Sequence, residues 1–411
     1  MAETFVIVGA SLAGGSAAAT LREEGFDGDV VLIGAEAQPP YERPPLSKEY
    51  LRGEAPFEKA LVRPADFYGE NEIQTRFGSR VNRVDPEAKR LHLEDGGEVP
   101  FDRLLIATGS RNRKIPFPGI DLEGVYDLRT VEDCDRLREE AASGEVVAIV
   151  GMGFIGAEVA ASFRQMGLEV EVVEAERAPL SRVFGEDIGR VIEGIHRDHG
   201  VRMHFGEGVA SFEGGGRVER VVTAGGRQID CDFALVGVGV VPATEAIEGS
   251  GIEIENGIVV DEQCRTNVSG VFAAGDVTNH QHPLFGRRMR VEHWQNALRQ
   301  GPAAARNMMG KQETYDEVHW FWSDQYDHNL QYAGVHGDHD EAVTRGSLES
   351  RNFTVFYLKQ GRIEGAFAVD RGREVRAAMR LITSRLRVDP AALREDETDL
   401  RKIAAGEASG R

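Results

Sequence analysis

The chain has 411 residues, 41% of them hydrophobic, and a formal net charge of −20. That length calls for two or three domains, and the acidity argues against a general nucleic-acid or anionic-membrane binder. No apolar run is long enough to span a bilayer, and the three cysteines (Cys134, Cys231, Cys264) form no CxxC, which leaves a zinc ribbon, a cysteine-ligated cluster or a thioredoxin-type dithiol little support.

The first element is the strand of "TFVIVGA", which begins without a basic stretch and apolar core ahead of it, so a cytoplasmic location is expected. From Phe5 the sequence "FVIVGASLAGGSAAATLREEGFDGDVVLIGAE" reads as strand, Gly-rich turn, small-residue helix, and a second strand ending at Glu36. Its turn positions are Gly9, Ser11 and Gly14; the serine departs from the strict glycine fingerprint and slightly crowds the approach of a pyrophosphate. Next comes "YERPPLSK", in which Pro44 and Pro45 each fix φ near about −65° and stiffen a cationic segment that carries no cysteine. "LLIATGS", Leu104 to Ser110, is a further strand running into a glycine turn.

The opening pattern recurs from Val147 as "VAIVGMGFIGAEVAASFRQMGLEVEVVEAE". Gly151 permits the tight turn, Gly153 lets backbone approach the pyrophosphate, and Gly156 allows close helix–strand contact. The helix amino terminus offers N–H groups to phosphate, and Glu174, about 20 residues on, can accept the adenine-ribose hydroxyls. Two such units imply two bound dinucleotides, one resident and one visiting. "FALVGVGVVPATEA" and "GVFAAGDV" follow, then "NHQHP" (His280, His282). Neither that stretch nor "HGDHDE" (His336, His339) has cysteine partners or an HExxH arrangement, so solvated loop histidines and no metal are expected.

Towards the carboxy terminus, "HWFWSDQ" puts Trp320 and Trp322 on one face if it is extended. "NFTVFYLKQGRIEGAFAV" reads as a hairpin. "DRGREVRAAMRLITSRLR" has six arginines against two acids, with Arg373, Arg376 and Arg380 on one helical face. A second basic cluster, "GRRMR", holds Arg287, Arg288 and Arg290. The terminal "GEASGR" is expected to fray.

Taken together, "YERPPLSK", "VYDLRTVEDCDRL", "GMGFIGAEVA", "GVGVVPATE", "RVEHWQNALRQG" and "HWFWSDQYDHNLQYAG" resemble the NADH-dependent ferredoxin reductases that serve bacterial oxygenases and cytochromes P450. Rubredoxin reductases and apoptosis-inducing factor are similar relatives. The resemblance covers nearly the whole chain, down to "TDLRKIAA". It implies an α/β architecture: an FAD domain (1–112 and 243–318), an inserted NAD(H) domain (113–242), both Rossmann-like, and a small α+β C-terminal domain (319–411).

The resemblance also implies site residues. For non-covalent FAD these are Gly9, Ser11, Ala13 and Gly14 at the pyrophosphate turn, with Glu36 and Arg43. Val81 falls near adenine, Thr108 and Gly109 lie in the "ATG" turn, Arg129 in "LRT", and Asp276 meets the ribityl chain. Trp294 contacts the flavin; relatives often have serine before it, where this chain has His293. For NADH they are Gly151, Gly153, Phe154, Ile155, Gly156, Glu158, Glu174, Arg182 and Gly237. A carboxylate at Glu174 would repel a 2′-phosphate, which favours NADH, although Arg182 could reach the adenosine end. Lys48 is placed near flavin N5, paired with Glu158, for orientation and electrostatics and not for acid–base work. The implied acceptor is an acidic [2Fe–2S] ferredoxin, and through it a cytochrome P450 or other oxygenase. Arg287, Arg288, Arg290, Trp322, Arg373, Arg376 and Arg380 are the candidate docking residues. Alternatives are rubredoxin or monodehydroascorbate reduction, or an NADH-sensing flavoprotein similar to apoptosis-inducing factor.

Overall fold

The strand Thr4–Val8 is apolar at every position after the first because both of its faces are covered. Phe5 and Ile7 join one core cluster, with the helices Leu12–Glu23 and Trp294–Met308. Val6 and Val8 join another, with residues of a three-stranded antiparallel sheet built from Val81–Asp85, Arg90–Leu93 and Glu98–Pro100. The structure, a computed structural model, describes residues 2–405, so the expectation for the terminal "GEASGR" lies outside them.

The chain divides into two units. The first runs from the amino terminus to Arg43 and includes Phe57–Arg111 and Val240–His319; the second comprises Pro44–Pro56, Asn112–Gly239 and the residues from Trp320 onward.

In the first unit a five-stranded parallel sheet has the order Val271–Ala273, Arg103–Ile106, Thr4–Val8, Asp29–Ile33, Ile73–Arg76. A smaller sheet joins Ile258–Val260, Thr278–His282 and Arg287–Arg290. The small residues of Leu12–Glu23 let the helix Trp294–Met308 lie close against it: a Cβ on Gly301 would sit 2.3 Å from the Ala13 carbonyl oxygen.

In the second unit another five-stranded parallel sheet has the order Arg202–Phe205, Glu169–Glu174, Val146–Val150, Phe233–Val236, Val125–Tyr126. The carboxy-terminal part forms a five-stranded antiparallel sheet with the helix Gly372–Ser384 packed on it. Asn352–Lys359 and Arg362–Val369 pair as the expected hairpin, closed at Lys359 and Arg362. Trp320–Gln325 is extended, so Phe321, Ser323 and Gln325 point inward, while Trp320 and Trp322 stack on the other face with centroids 5.2 Å apart. Two Rossmann-like parallel sheets and a small α+β part are thus the α/β architecture the sequence implied. Among the described residues no helix is long and apolar enough to cross a membrane.

Candidate functional site

In the first unit the chain leaves Val8 through Gly9, whose φ is +111° and whose Cβ, if it had one, would lie 2.1 Å from the Ala107 carbonyl oxygen. A Cβ on Gly14 would meet the Gly9 carbonyl oxygen at 1.9 Å. Only glycine fits either place. Ser11 is the N-cap of Leu12–Glu23, extended in backbone, and its side chain makes no capping bond. The first N–H groups of the helix therefore face the turn without a side-chain acceptor over them.

A cavity of about 600 Å³ opens beside this turn, lined among others by Glu36, Arg43, Val81 and Thr108. Glu36 accepts from Arg43 Nη2 at 2.6 Å and from the Tyr41 hydroxyl. Thr108 Oγ1 donates to the Ala243 carbonyl at 2.7 Å, tying the "ATG" turn to the returning chain. Gly109 turns there with φ +70°, and Ser110 Oγ donates to Asp276 Oδ2 at 3.0 Å. Trp294 opens its helix behind His293, which burial pushes down to about 4 against the pull of Asp276. An open helix terminus, glycines where a Cβ would clash, and a cavity ending at an acid fit a dinucleotide such as FAD.

The second unit repeats the turn. Gly151 has φ +95°, and a Cβ there would lie 2.4 Å from the Gly237 carbonyl oxygen; one on Gly156 would lie 2.1 Å from that of Gly151. A Cβ on Gly153, in contrast, would meet nothing within 4 Å. The protein itself does not require glycine at that position, and the space left open there would admit a close-approaching group such as a pyrophosphate. Glu174 accepts from the Met152 N–H at 2.6 Å and the Glu176 N–H at 2.8 Å, holding the turn and the strand end together. Arg182 is exposed and paired with Glu176 at 2.6 Å. Phe154 packs on Phe321 with centroids 4.6 Å apart, whereas Ile155 stays 44% exposed at the mouth of the turn.

Also in the second unit, the "PPLS" stretch forms the short 3₁₀ helix Pro44–Ser47, which carries Lys48 at its end. Lys48 Nζ lies 2.6 Å from Glu158 Oε2, and the two side chains are 8% and 6% exposed. Ser47 Oγ donates to the same oxygen at 2.5 Å, and Ser323 Oγ donates to Glu158 Oε1 at 2.7 Å. Ser162 Oγ donates to the Ser47 carbonyl at 2.7 Å. Beyond Ser323 the bonds continue through Gln325 to His196, 2.9 Å apart, and to the Tyr326 hydroxyl at 3.2 Å from His196 Nδ1. Both carboxylate oxygens of Glu158 are therefore engaged, and the ion pair is held from three stretches of chain. Ser47, Ser162 and Ser323 were not singled out from the sequence. Their partners lie up to 165 residues away, and no local pattern marks them.

Several expectations need correction. His280 and His282 are not solvated loop residues: they lie on the strand Thr278–His282, and each is at most 1% exposed. The strand pairs on both sides, with Ile258–Val260 and Arg287–Arg290, which carries these side chains into the interior. His336 is half-buried, its ring between the Tyr332 hydroxyl and the Val183 carbonyl, while His339 is exposed. The proline segment has no cysteine of its own, yet a thiol does pack behind it: Cys134 Sγ lies 3.2 Å from the Leu46 carbonyl. Burial pushes that thiol up to about 12, away from the reactive thiolate form. Cys231 and Cys264 are buried as well.

Of the basic clusters, Arg373, Arg376 and Arg380 are exposed along Gly372–Ser384. In "GRRMR", Arg288 donates to the Val260 and Asn279 carbonyls and so helps to hold its own sheet, while Arg290 pairs with Glu292 just beyond the strand. Lys48, Arg129 and Trp322 lie in the second unit; Val81, Asp276 and Trp294 lie in the first.

Two dinucleotide turns, each closed by an acid, with no thiol placed to relay electrons, are the build of a two-nucleotide oxidoreductase. The chain belongs to the pyridine nucleotide-disulphide oxidoreductase family, whose model matches residues 3–301, and it continues into a reductase C-terminal domain over residues 320–404. The anthranilate 1,2-dioxygenase system ferredoxin--NAD(+) reductase component of Burkholderia cepacia is 41% identical over 405 residues, 97% of this chain and 99% of that one. Rhodocoxin reductase of Rhodococcus erythropolis is 37% identical, covering 98% of this chain and 94% of its own. Among solved structures, the covalent putidaredoxin reductase–putidaredoxin complex superposes with a TM-score of 0.96 at 32% identity, covering 99% of each chain.

Proposed function

We propose that the chain is an FAD-dependent NADH:ferredoxin oxidoreductase, acting in the cytoplasm as the reductase of a cytochrome P450 or other oxygenase system. The observation that carries this reading is the buried Lys48–Glu158 pair, set in a family fold with two dinucleotide turns and no reactive thiol. When bound, FAD supplies acceptance of a hydride from NADH and delivery of single electrons to a [2Fe–2S] carrier.

The residues of the chain bind and orient. In this reading the FAD domain is 1–112 and 243–318, the NAD(H) domain 113–242, and the C-terminal domain 319–411. The Gly9–Gly14 turn and its helix terminus receive the FAD pyrophosphate, Glu36 the adenine ribose, and Asp276 the ribityl hydroxyls. Gly153 leaves room for the NADH pyrophosphate, and Ile155 gives it an apolar cover. Glu174 takes the ribose hydroxyls and disfavours a 2′-phosphate, and Arg182 is held by Glu176 instead of standing ready for one. Lys48 supplies a fixed cation, and Glu158, pinned by Ser47 and Ser323, keeps it in place. The exposed arginines of Gly372–Ser384 and the indole of Trp322 offer a surface for an acidic ferredoxin. Buried free thiols without a disulfide fit a reducing compartment.

The test is anaerobic stopped-flow spectroscopy of the FAD-loaded protein, mixed with NADH and then with a panel of [2Fe–2S] ferredoxins. Rapid flavin bleaching followed by fast reduction of one ferredoxin is expected. Bleaching with no transfer to any ferredoxin would overturn the acceptor assignment. Reduction by NADPH but not by NADH would overturn the role given to Glu174.

A further inference from the structure

The strand Thr278–His282 turns His280 and His282 inward, and His319 comes to meet them from the end of the same unit. All three are at most 1% exposed. Their rings pack at centroid separations of 5.4 Å (His280–His282), 5.3 Å (His280–His319) and 4.7 Å (His282–His319). One nitrogen from each ring can be chosen so that all three lie within 4.8 Å of one another.

What these rings lack is as informative as what they touch. His282 Nε2 lies 3.0 Å from the Glu317 carbonyl, so it carries the proton, and the lone pair is left on Nδ1. His319 Nε2 lies 3.3 Å from Met289 Sδ, and its Nδ1 is likewise left over. His282 Nδ1, His319 Nδ1 and both nitrogens of His280 are buried with no hydrogen-bond partner among the described residues. Buried polar atoms normally find partners, and four orphaned imidazole nitrogens in one cluster point to an absent occupant. Orientation of a histidine by a backbone carbonyl through its other nitrogen, as at His282, is the usual support for a metal ligand.

We propose that His280, His282 and His319 form a binding site for one zinc-class transition-metal ion, with the Met289 thioether behind the His319 ring, where it orients that ring through Nε2. Imidazole suits late first-row divalent ions, and three such ligands leave a fourth position for water. Ligation at about 2.0–2.1 Å requires the nitrogens to draw in to roughly 3.3 Å, an adjustment of side-chain torsions. Arg288, whose charge is felt at His280, opposes a cation, and Asp316, felt at His282, favours one. The site lies in the same unit as the flavin-side residues His293 and Trp294, and the His293 ring is 6.4 Å from that of His319. The proposal does not rest on the identity of the electron acceptor.

Tag-free, FAD-loaded protein, stripped with EDTA and dialysed, is titrated with ZnCl2 by calorimetry and separately with CoCl2 by absorption. One Zn2+ per chain is expected, bound with a dissociation constant below about 1 µM and weakened about 100-fold or more in His319→Phe. Co2+ should give intense visible bands of a four-coordinate site in the unmodified protein, a readout that needs no variant to fold. Zn2+ uptake that is absent, or equal in wild type and His319→Phe, overturns the site. So does a Co2+ spectrum no stronger than that of the aqueous ion. The cluster is then a closed aromatic core.

Discussion

Removing either member of the buried ion pair gives a prediction whose size follows from the geometry. At an Nζ–Oε2 separation of 2.6 Å and an effective dielectric constant of about 20, Lys48 and Glu158 attract by about 6 kcal/mol. Both side chains are less than a tenth exposed, so desolvation of several kcal/mol per ion offsets most of that gain. The intact pair is therefore close to neutral for stability, while breaking it from one side leaves a buried charge alone. Glu158→Gln keeps the shape: its carbonyl can accept from Lys48 and Ser47, and its amide can donate to Ser323 Oγ. The ammonium, however, loses its countercharge, for a loss of about 3 kcal/mol. Lys48→Met, which strands the carboxylate with only its two serine donors, should lose about the same. The double variant should lose little more than either single change, a coupling of about 3 kcal/mol in a double-mutant cycle. The assay is thermal and urea unfolding by circular dichroism at fixed excess FAD, since bound cofactor shifts apparent stability. Additive losses in the cycle would refute the argument, because the two groups would then not be holding each other.

The two glycine turns predict a separation of folding from binding. Gly151→Ala, with its Cβ 2.4 Å from a carbonyl oxygen and φ at +95°, should fail to fold or lose several kcal/mol, whereas Gly153→Ala should melt like wild type and lose NADH affinity by about tenfold or more in a flavin-reduction titration. His196 gives a pH prediction. Burial, with a smaller push from His199, lowers it to about 4, so its contribution is fully present above about 6.5 and is lost as pH falls through 4, at up to about 1.4 kcal/mol per pH unit. Unfolding of His196→Gln, followed from pH 7 to 4, should show a slope shallower by up to one proton. Finally, Arg376→Glu with Arg380→Glu should raise the KM for an acidic ferredoxin about tenfold and flatten its salt dependence, with flavin reduction by NADH unchanged; equal KM values would clear that face of a docking role.

The two nucleotide units were readable from the sequence because their logic is local. Strand, turn, helix and acid follow within about 30 residues, and the clashes that demand Gly9, Gly14, Gly151 and Gly156 come from backbone a few residues away or from the neighbouring strand end. The Lys48–Glu158 pair was legible only through resemblance, since the partners are 110 residues apart. The serines that fix it were not legible at all: a serine in "PPLS" or "FWSD" looks like any turn or strand residue until the sheet brings it to a carboxylate. "NHQHP" misled for a related reason. Asn, His and Pro together have the composition of a loop, and what makes the segment a strand is pairing on both sides. The alternation of Thr278, His280 and His282 was the available signal.

The helix packing at Gly301 bears on the order in which the parts of the protein fold. The first unit's sheet needs Val271–Ala273, and the helix carrying the first nucleotide turn is buttressed by Trp294–Met308. Both arrive on the growing chain only after the strands of the second nucleotide sheet, Val125–Tyr126 to Phe233–Val236, are complete. Sequence-local units close first because their loop-closure entropy is smaller. On the ribosome the internal nucleotide sheet can therefore consolidate while the amino-terminal one, though translated earlier, waits with its apolar strands incomplete. During that interval the apolar strands of the first sheet stay unpaired at the edge that Val271–Ala273 will fill, the condition in which nascent chains are prone to aggregate.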